Sequence, residues 1–225
     1  MQAFSNAGSG DIVLAIAQRI VENRGYLSDI DGLIGDGDHG VNMAKGFSLA
    51  AERLRGEPRP LAASLATLGD VLMTEIGGSM GPLYGMMFSG FAEALDGGED
   101  IDAAAFERML RQGLDEVQSI GDAKIGDKTL IDAFAPALQA FSATAAKRDD
   151  FAAALDALIV AAEKGRDSTI ALVAKIGRAA RLGERSRGVP DPGTTSCAII
   201  LRSLAEGAKA KLDASNPRKS REAQP

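Results

Sequence analysis

Apolar residues recur at helical spacing along most of the chain. Between residues 11 and 23, Ile12, Ile16 and Ile20 are four positions apart, which places them on one face of an amphipathic helix. Similar patterns predict helices over residues 41–55, 61–76, 82–95, 103–120, 128–144, 151–166, 169–174 and 194–212. Strand-like alternation is nearly absent. The pattern therefore predicts an all-α fold with short loops, typical of antiparallel up-and-down helices, without distinguishing a bundle from a barrel.

Proline positions and the polar end of the chain refine these boundaries. Pro82 can occupy a first helical turn, where its missing N–H costs little. Pro136 should kink or break the helix over residues 128–144, unless that helix begins later. Residues 213–225 are polar and contain two prolines. We therefore predict a single domain over residues 1–212 and a disordered tail over 213–225.

The composition excludes several classes of protein. Of the 225 residues, 4% are aromatic and none is tryptophan, which favours close helix packing through small side chains. Cys197 is the single cysteine, so it forms no internal disulfide, and one cysteine with one distant histidine makes a zinc site implausible. A net charge of −6 argues against nucleic-acid binding. Without a signal-peptide pattern or a bilayer-length apolar stretch, we expect a cytoplasmic protein with no membrane partner.

The turn IGDGDHGVNM, residues 34–43, carries the most informative chemistry. Asp36 and Asp38 are separated by one glycine and Asp31 lies five residues upstream, so a bent loop can direct three carboxylates at one centre. Magnesium prefers such oxygen ligands and commonly joins them to phosphates. The helix expected from Val41 would direct its positive end at the same place. An alternative is ordinary turn chemistry with an aspartate that caps a helix.

Three further glycine-rich turns separate predicted helices. They are GGSMGPL at residues 77–83, GDAKIGDKT at 121–129 and DPGTTS at 191–196. Small-residue turns that favour anions, taken from distant parts of the chain, suggest one composite nucleotide site. The turn at 121–129 is nearly a P-loop, but Asp127 separates Gly126 from Lys128 and no strand precedes it.

The chain resembles the nucleotide-binding L subunits of dihydroxyacetone kinases from about Gly25 to about Leu204. The resemblance is carried by IGDGDHGVNMAKGF, GGSMGPLYGMMF, GDKTLIDAFAPAL and GRAARLGERSRGVPDPGTTSCAIIL, four motifs in order. It implies an antiparallel up-and-down eight-helix barrel, with ADP or ATP and Mg²⁺ bound in the loops at one rim.

The resemblance also implies roles for individual residues. Magnesium would be held by Asp31, Asp36 and Asp38. The phosphates would contact His39, Gly40, Val41, Asn42, Ser79 and Met80. Gly121 would contact the nucleotide and Leu130 its base, and the site would be closed by Asp191, Pro192 and Gly193. Arg178 would contact the nucleotide and act as the catalytic residue, because phosphoryl transfer depends on charge neutralisation.

Several of these positions have alternatives. The turn at Ser79 and Met80 departs from the commoner Gly-Gly-Ala-Ser-Gly form, so its hydroxyl has moved by one position and a side-chain contact at Met80 is an open question. His39 could be a structural hydrogen-bonding residue. Lys128 is predicted to be a solvated lysine at a helix end rather than a catalytic one. A solvated loop is predicted for Arg181, Arg185 and Arg187, although Arg185 could face a partner subunit.

The implied reaction transfers a phosphoryl group from the nucleotide to a small ketose that a separate K subunit binds covalently. The donor stays open: a resident ADP rephosphorylated by the phosphotransferase-system M subunit, or exchangeable ATP. The ketose stays open as well, because some relatives act on tetruloses such as erythrulose. We expect a homodimer or a hetero-oligomer. A nucleotide-binding regulatory module is the alternative function.

Overall fold

The computed structural model describes residues 2–148 and 150–215. Most of them are α-helical, which confirms the predicted class. The elements are β1 (Ala3–Ser5), α1 (Asp11–Glu22), α2 (Arg24–Ile34), α3 (His39–Leu54), α4 (Leu61–Glu75), α5 (Met80–Leu95), β2 (Asp100–Asp102), α6 (Ala103–Ile120), α7 (Ile131–Arg148), α8 (Phe151–Ser168) and α9 (Pro192–Ala214). Two 3-10 helices, Thr169–Ala171 and Ala179–Ser186, lie between α8 and α9.

Helix α2 was absent from the sequence prediction. It contains two glycines, and its buried apolar residues are only Leu27, Ile30 and Ile34, so its periodicity is weak. Packing against α3 stabilises it at close range. A Cβ atom at Gly40 would lie 2.0 Å from the carbonyl oxygen of Arg24, so only glycine allows α2 and α3 to approach this closely.

Other differences are small and have local causes. The expected helix over residues 169–174 is a single 3-10 turn, because Leu172 is already extended. Strands β1 and β2 form a short antiparallel ladder in which Phe4 pairs with Ile101; three-residue strands are too short to produce a visible alternation. Helix α9 continues to Ala214, two residues beyond the predicted domain end. Residues 216–225 of the predicted tail lie outside the described part of the chain.

Pro136 lies inside α7, which begins at Ile131 rather than at residue 128. It is therefore near the first turns of the helix and α7 continues past it. Proline cannot donate to the carbonyl oxygen of Asp132, four residues earlier. Helix α8 packs against this carbonyl, since a Cβ atom at Gly165 would lie 2.1 Å from it. The proline is thus accommodated where a glycine of the neighbouring helix approaches.

The helices enclose one apolar core. Helix α1 packs between α3 and α9, and contacts continue from α3 to α4, α5, α6, α7, α8 and α9. Within this core, Phe88 contacts Phe47 and Phe91 edge to face, at centroid distances of 5.9 and 5.7 Å. Within the described residues, no helix is both long enough and apolar enough to span a membrane. This packing brings four interhelical connections, those after α2, α4, α6 and α8, around one pocket.

Candidate metal and nucleotide site

The connection from α2 to α3 brings the three predicted metal ligands together. Asp31, Asp36 and Asp38 each offer a carboxylate oxygen, and these oxygens lie within 4.8 Å of one another. Gly37 has a φ of +78°, which lets the chain turn back between the two later aspartates. At Gly35, a Cβ atom would lie 2.3 Å from Oδ1 of Asp31, so a side chain there would displace this carboxylate.

The cluster suits a hard divalent cation. Mg²⁺ binds its oxygen ligands at about 2.1 Å, so the three carboxylates, which already lie close together, would approach one another further to share one ion. The backbone N–H of His39 donates to Oδ2 of Asp31 at 3.1 Å, which leaves the other oxygen of that carboxylate for a metal. No further protein ligand is needed to complete the set, since Mg²⁺ commonly keeps water and binds phosphate oxygens.

Arg178 reaches the same cluster from the connection between α8 and α9. It precedes the 3-10 helix Ala179–Ser186, and its guanidinium forms an ion pair with Oδ2 of Asp36. Both side chains are about half exposed, so solvent screens this pair and its contribution to stability is small. Its importance is geometric, because it places a permanent cation beside the carboxylates.

A pocket of about 280 Å³ lies beside the cluster. Nine of the predicted site residues line it: Asp31, His39, Ser79, Met80, Leu130, Arg178, Asp191, Pro192 and Gly193. Six others do not line it: Asp36, Asp38, Gly40, Val41, Asn42 and Gly121. Gly40 is buried against α2, whereas Val41 is exposed on α3 and Gly121 is exposed at the end of α6.

The ring of His39 is buried and already has a hydrogen-bond partner. Its Nε2 lies 2.9 Å from Oγ of Ser196, which in turn lies 2.6 Å from the hydroxyl of Tyr84. The Tyr84 hydroxyl is also 2.9 Å from the carbonyl oxygen of Gly193. Burial lowers the pKa of His39 to about 4, although Asp31 opposes the shift, so the ring is neutral at pH 7. This network joins α3, α5 and α9 and agrees with the structural alternative for His39.

Asp191 caps α9 at the back of the pocket. Its Oδ2 accepts a hydrogen bond of 2.7 Å from the backbone N–H of Thr194, as an N-cap residue does. Burial raises the pKa of Asp191 to about 6; the hydrogen bonds from Thr194 and the nearby charge of Lys128 act in the opposite direction. The charge state of this carboxylate therefore depends on its neighbours.

Lys128 corrects the sequence prediction. It was expected to be solvated, but it is only 1% exposed and its Nζ contacts three carbonyl oxygens, those of Leu172, Ser186 and Val189. Burial lowers its pKa, and the charge of Asp191 opposes this effect. The prediction failed because helix-end lysines are usually solvated, and the covering residues are 44 to 61 positions away. The predicted solvated arginines, Arg181, Arg185 and Arg187, are indeed exposed.

Several lining residues were not predicted to be site residues. They are Ile34, Gly35, Leu83, Tyr84, Lys128, Thr129, Ile176, Gly177 and Ala179. Tyr84, which supports the network at His39, stands in an ordinary helical stretch and gives no signal. For Lys128 the sequence offers a signal, since the stretch GDAKIGDKT at residues 121–129 is nearly a P-loop.

The fold and the pocket define an α-helical domain in which a three-carboxylate cluster and an arginine meet at a pocket lined by interhelical loops. Residues 33–206 match the DAK2 domain family, and the chain belongs to this family.

Three similar proteins show which members of this family the chain resembles. It is 37% identical to the "PEP-dependent dihydroxyacetone kinase 1, ADP-binding subunit DhaL" of Listeria innocua, over 84% of this chain and 90% of the relative. It is 32% identical to the D-erythrulose kinase of Mycolicibacterium smegmatis, over 85% of this chain but only 34% of that protein. The crystal structure of the C. freundii dihydroxyacetone kinase with AMP-PNP and Mg²⁺ superposes with a TM-score of 0.65 at 28% identity, covering 88% of this chain and 33% of that one.

Proposed function

We propose that this chain is the nucleotide-binding subunit of a dihydroxyacetone kinase. It would bind ADP or ATP with Mg²⁺ and support phosphoryl transfer to a small ketose on a separate K subunit. The observation that carries the proposal is the cluster of three carboxylates and Arg178 beside one pocket, which Asp31 and Arg178 themselves line. The similarity to an ADP-binding subunit over nearly the whole length of both chains supports it.

Within this proposal, Asp31, Asp36 and Asp38 hold the metal. When bound, Mg²⁺ would neutralise phosphate charge and join the nucleotide to these carboxylates. Gly35 and Gly37 keep the carboxylates at this spacing, because a side chain at residue 35 would collide with Asp31.

Arg178 supplies positive charge at the transferring phosphoryl group. Its guanidinium contacts Asp36, so it lies at the edge of the pocket where metal and phosphate would meet. Charge neutralisation at this point stabilises the transition state of phosphoryl transfer. Met80 and Ser79 also line the pocket, where backbone N–H groups at the start of α5 can contact phosphate.

We assign phosphate contact to the turn that begins at His39, although its ring faces Ser196. The backbone of this turn starts α3, and a helix N-terminus attracts anions. Leu130 offers an apolar contact to the base, and Gly193 lies beside it, since a Cβ at Gly193 would be 3.8 Å from the backbone nitrogen of Leu130. We keep Gly40, Val41 and Asn42, in the first turn of α3, and Gly121, directly after α6, as proposed nucleotide contacts, although none of them lines the pocket in this structure.

We further propose that eight helices form a closed up-and-down barrel. The support is the order of neighbours, because α1 contacts α3 and the contacts pass through successive helices until α9 contacts α1 again. Helix α2 lies outside this series and packs on α3 and α9. The pocket then occupies one rim, facing the proposed K subunit.

A second candidate is a subunit that serves a tetrulose kinase. It is favoured by the 32% identity to a D-erythrulose kinase. The matched region covers only 34% of that kinase. The ketose would lie on the partner in either case, so the choice does not alter the roles assigned to this chain.

Calorimetric titration of the purified chain with ADP or ATP and Mg²⁺, followed by an assay with the K subunit of the same organism, tests the function. We expect metal-dependent nucleotide binding and negligible ketose phosphorylation until the K subunit is added. Turnover with ATP alone identifies an exchangeable donor, whereas turnover that requires phosphoenolpyruvate and the M subunit identifies a resident ADP. Nucleotide binding without turnover under both conditions would favour a regulatory module.

A further inference from the structure

Lys128 occupies a backbone conformation that disfavours a side chain. Its φ is 65°, and among the described residues it is the only one other than glycine with a positive φ. Glycine adopts this conformation at little cost, so the backbone alone would favour glycine here. A lysine at this position indicates that interactions of its side chain offset the cost of this conformation.

The hydrogen bonds of the Lys128 ammonium supply these interactions. Nζ donates to the carbonyl oxygens of Leu172 at 3.1 Å, Ser186 at 2.6 Å and Val189 at 2.7 Å. An ammonium group has three N–H donors and no acceptor, so three carbonyls satisfy it completely. Neutral side chains of similar length cannot donate to all three.

The three acceptors stand at the two ends of one segment. Leu172 begins residues 172–189, whereas Ser186 and Val189 end it, and Arg178 lies between them. We call residues 172–189 the arginine segment. A single buried cation thus holds together both ends of the segment that carries Arg178 to the pocket.

The loop that carries Lys128 is itself firmly built. The buried carboxylate of Asp132 accepts hydrogen bonds from the backbone N–H groups of Gly126 at 2.5 Å and Thr129 at 2.8 Å. These bonds fix the backbone on both sides of Lys128. The ammonium therefore acts from a rigid support on α7.

The other links across the arginine segment are single hydrogen bonds or exposed contacts; for example, the half-exposed guanidinium of Arg187 donates to the carbonyl oxygen of Ala171. The Ser186 hydroxyl accepts from the N–H of Ala174 at 3.0 Å, and Gly188 N–H donates to Ile170 at 2.8 Å. Lys175 forms an ion pair of 3.0 Å with Asp127, but its side chain is 64% exposed. Screening weakens such a surface pair, whereas the buried ammonium is shielded from water.

We propose that Lys128 is a positioning residue: its ammonium clamps the two ends of the arginine segment and thereby sets Arg178 at the metal and nucleotide pocket. The catalytic part of this inference rests on the proposed function. The clamp itself is a property of the chain without ligand.

Hydrogen exchange of the chain without nucleotide tests the clamp directly. In Lys128→Met, exchange of backbone amides in the arginine segment, including Ala174 and Gly188, should become at least about tenfold faster, while the core amides of α4 and α5 stay unchanged. The matched control is Lys175→Met, which removes the exposed link between the same two regions and should change exchange less than about twofold. Unchanged exchange in Lys128→Met would overturn the proposal.

Kinetics with the K subunit tests the consequence for Arg178. Lys128→Met should lower kcat by at least about tenfold and raise the KM for the nucleotide much less, because Arg178 acts in the transition state. In an Arg178→Ala background, the same change should cost little further turnover. Full additivity of the two losses would overturn the positioning role. If the wild-type chain binds no nucleotide, the proposed function fails, while the exchange result still decides the clamp.

A variant with a restored ammonium separates positioning from folding failure. Should Lys128→Met lose its helical circular dichroism, Lys128→Cys in a Cys197→Ala background can be aminoethylated while unfolded and then refolded. Aminoethylation rebuilds a lysine-like ammonium at residue 128. Recovery of slow exchange and of turnover supports the clamp, and refolding with fast exchange overturns it.

Discussion

Two regions of the pocket place charge by opposite means. The aspartate turn, residues 31–39, gathers three carboxylates through local geometry within nine positions of the chain. The arginine segment places Arg178 through a lysine that is 50 residues away in sequence. Local turns can be recognised from residue spacing, whereas a clamp across such a distance exists only after the helices have packed. The two regions meet where Arg178 contacts Asp36.

The largest expected effect comes from breaking the aspartate turn. Neutralising Asp36 or Asp38 as asparagine should weaken Mg²⁺-dependent nucleotide binding by about 100-fold or more, since even outer-shell changes at metal sites cost 10- to 100-fold. Calorimetry with Mg²⁺ and ADP measures this effect. Thermal melts should show an intact core, because Asp36 is exposed and Asp38 is only partly buried.

The control is Asp29→Asn, which removes an exposed carboxylate from α2 at little distance in sequence. It should leave nucleotide affinity unchanged. Normal magnesium dependence in Asp36→Asn, or an equal loss in Asp29→Asn, would contradict the metal assignment.

In the arginine segment, removing the side chain of Arg178 should lower turnover more than nucleotide binding. In Arg178→Ala we expect kcat to fall by about 100- to 1,000-fold, as when one charge-stabilising donor is removed, with a smaller change in nucleotide affinity. Steady-state assays with the K subunit and separate binding titrations measure the two quantities. Arg181→Ala, an exposed arginine of the same segment, is the matched control. Equal losses in kcat and affinity would make Arg178 a plain binding residue.

How much the sequence reveals follows from this same contrast. The helical class and the aspartate turn were predictable, because periodicity and spacing are local signals, whereas Arg178 was singled out by the family resemblance and not by spacing. Helix α2 was missed because only three of its apolar residues, Leu27, Ile30 and Ile34, are buried, so its periodicity is weak. Its close contact with α3 at Gly40 is visible only in the folded chain. The burial of Lys128 was missed because its three acceptors come from a distant, irregular segment.

The next effect concerns the support of the aspartate turn. Gly40→Ala should destabilise the fold by about 1–3 kcal/mol, because the new Cβ would lie 2.0 Å from the carbonyl of Arg24 and force α2 away from α3. Denaturant unfolding measures the loss. Gly25→Ala is the control: its Cβ meets nothing within 4 Å, and alanine favours a helix by about 1 kcal/mol over glycine. Comparable destabilisation by both changes would contradict the close-approach explanation.

The smallest expected effect is a change in the pKa of Asp191 when the charge of Lys128 is removed. Asp191 has a pKa of about 6 because of burial, and the ammonium of Lys128 lowers it toward the usual range. Removing that cation in Lys128→Met should therefore raise the pKa of Asp191 further, which a carbon-detected NMR titration of the aspartate carboxyl groups measures. Lys175→Met should leave the pKa of Asp191 unchanged, since Lys175 is not among the charges that act on Asp191.

The same pKa shift makes stability depend on pH. Because the folded-state pKa of Asp191 exceeds the unfolded value near 3.9, protonation of Asp191 favours the fold. This contribution is complete below about pH 4 and is lost as the pH rises through about 6 in the wild type. In Lys128→Met this loss of stability should occur at higher pH. An unshifted or lower pKa of Asp191 would show that the ammonium of Lys128 does not act on Asp191.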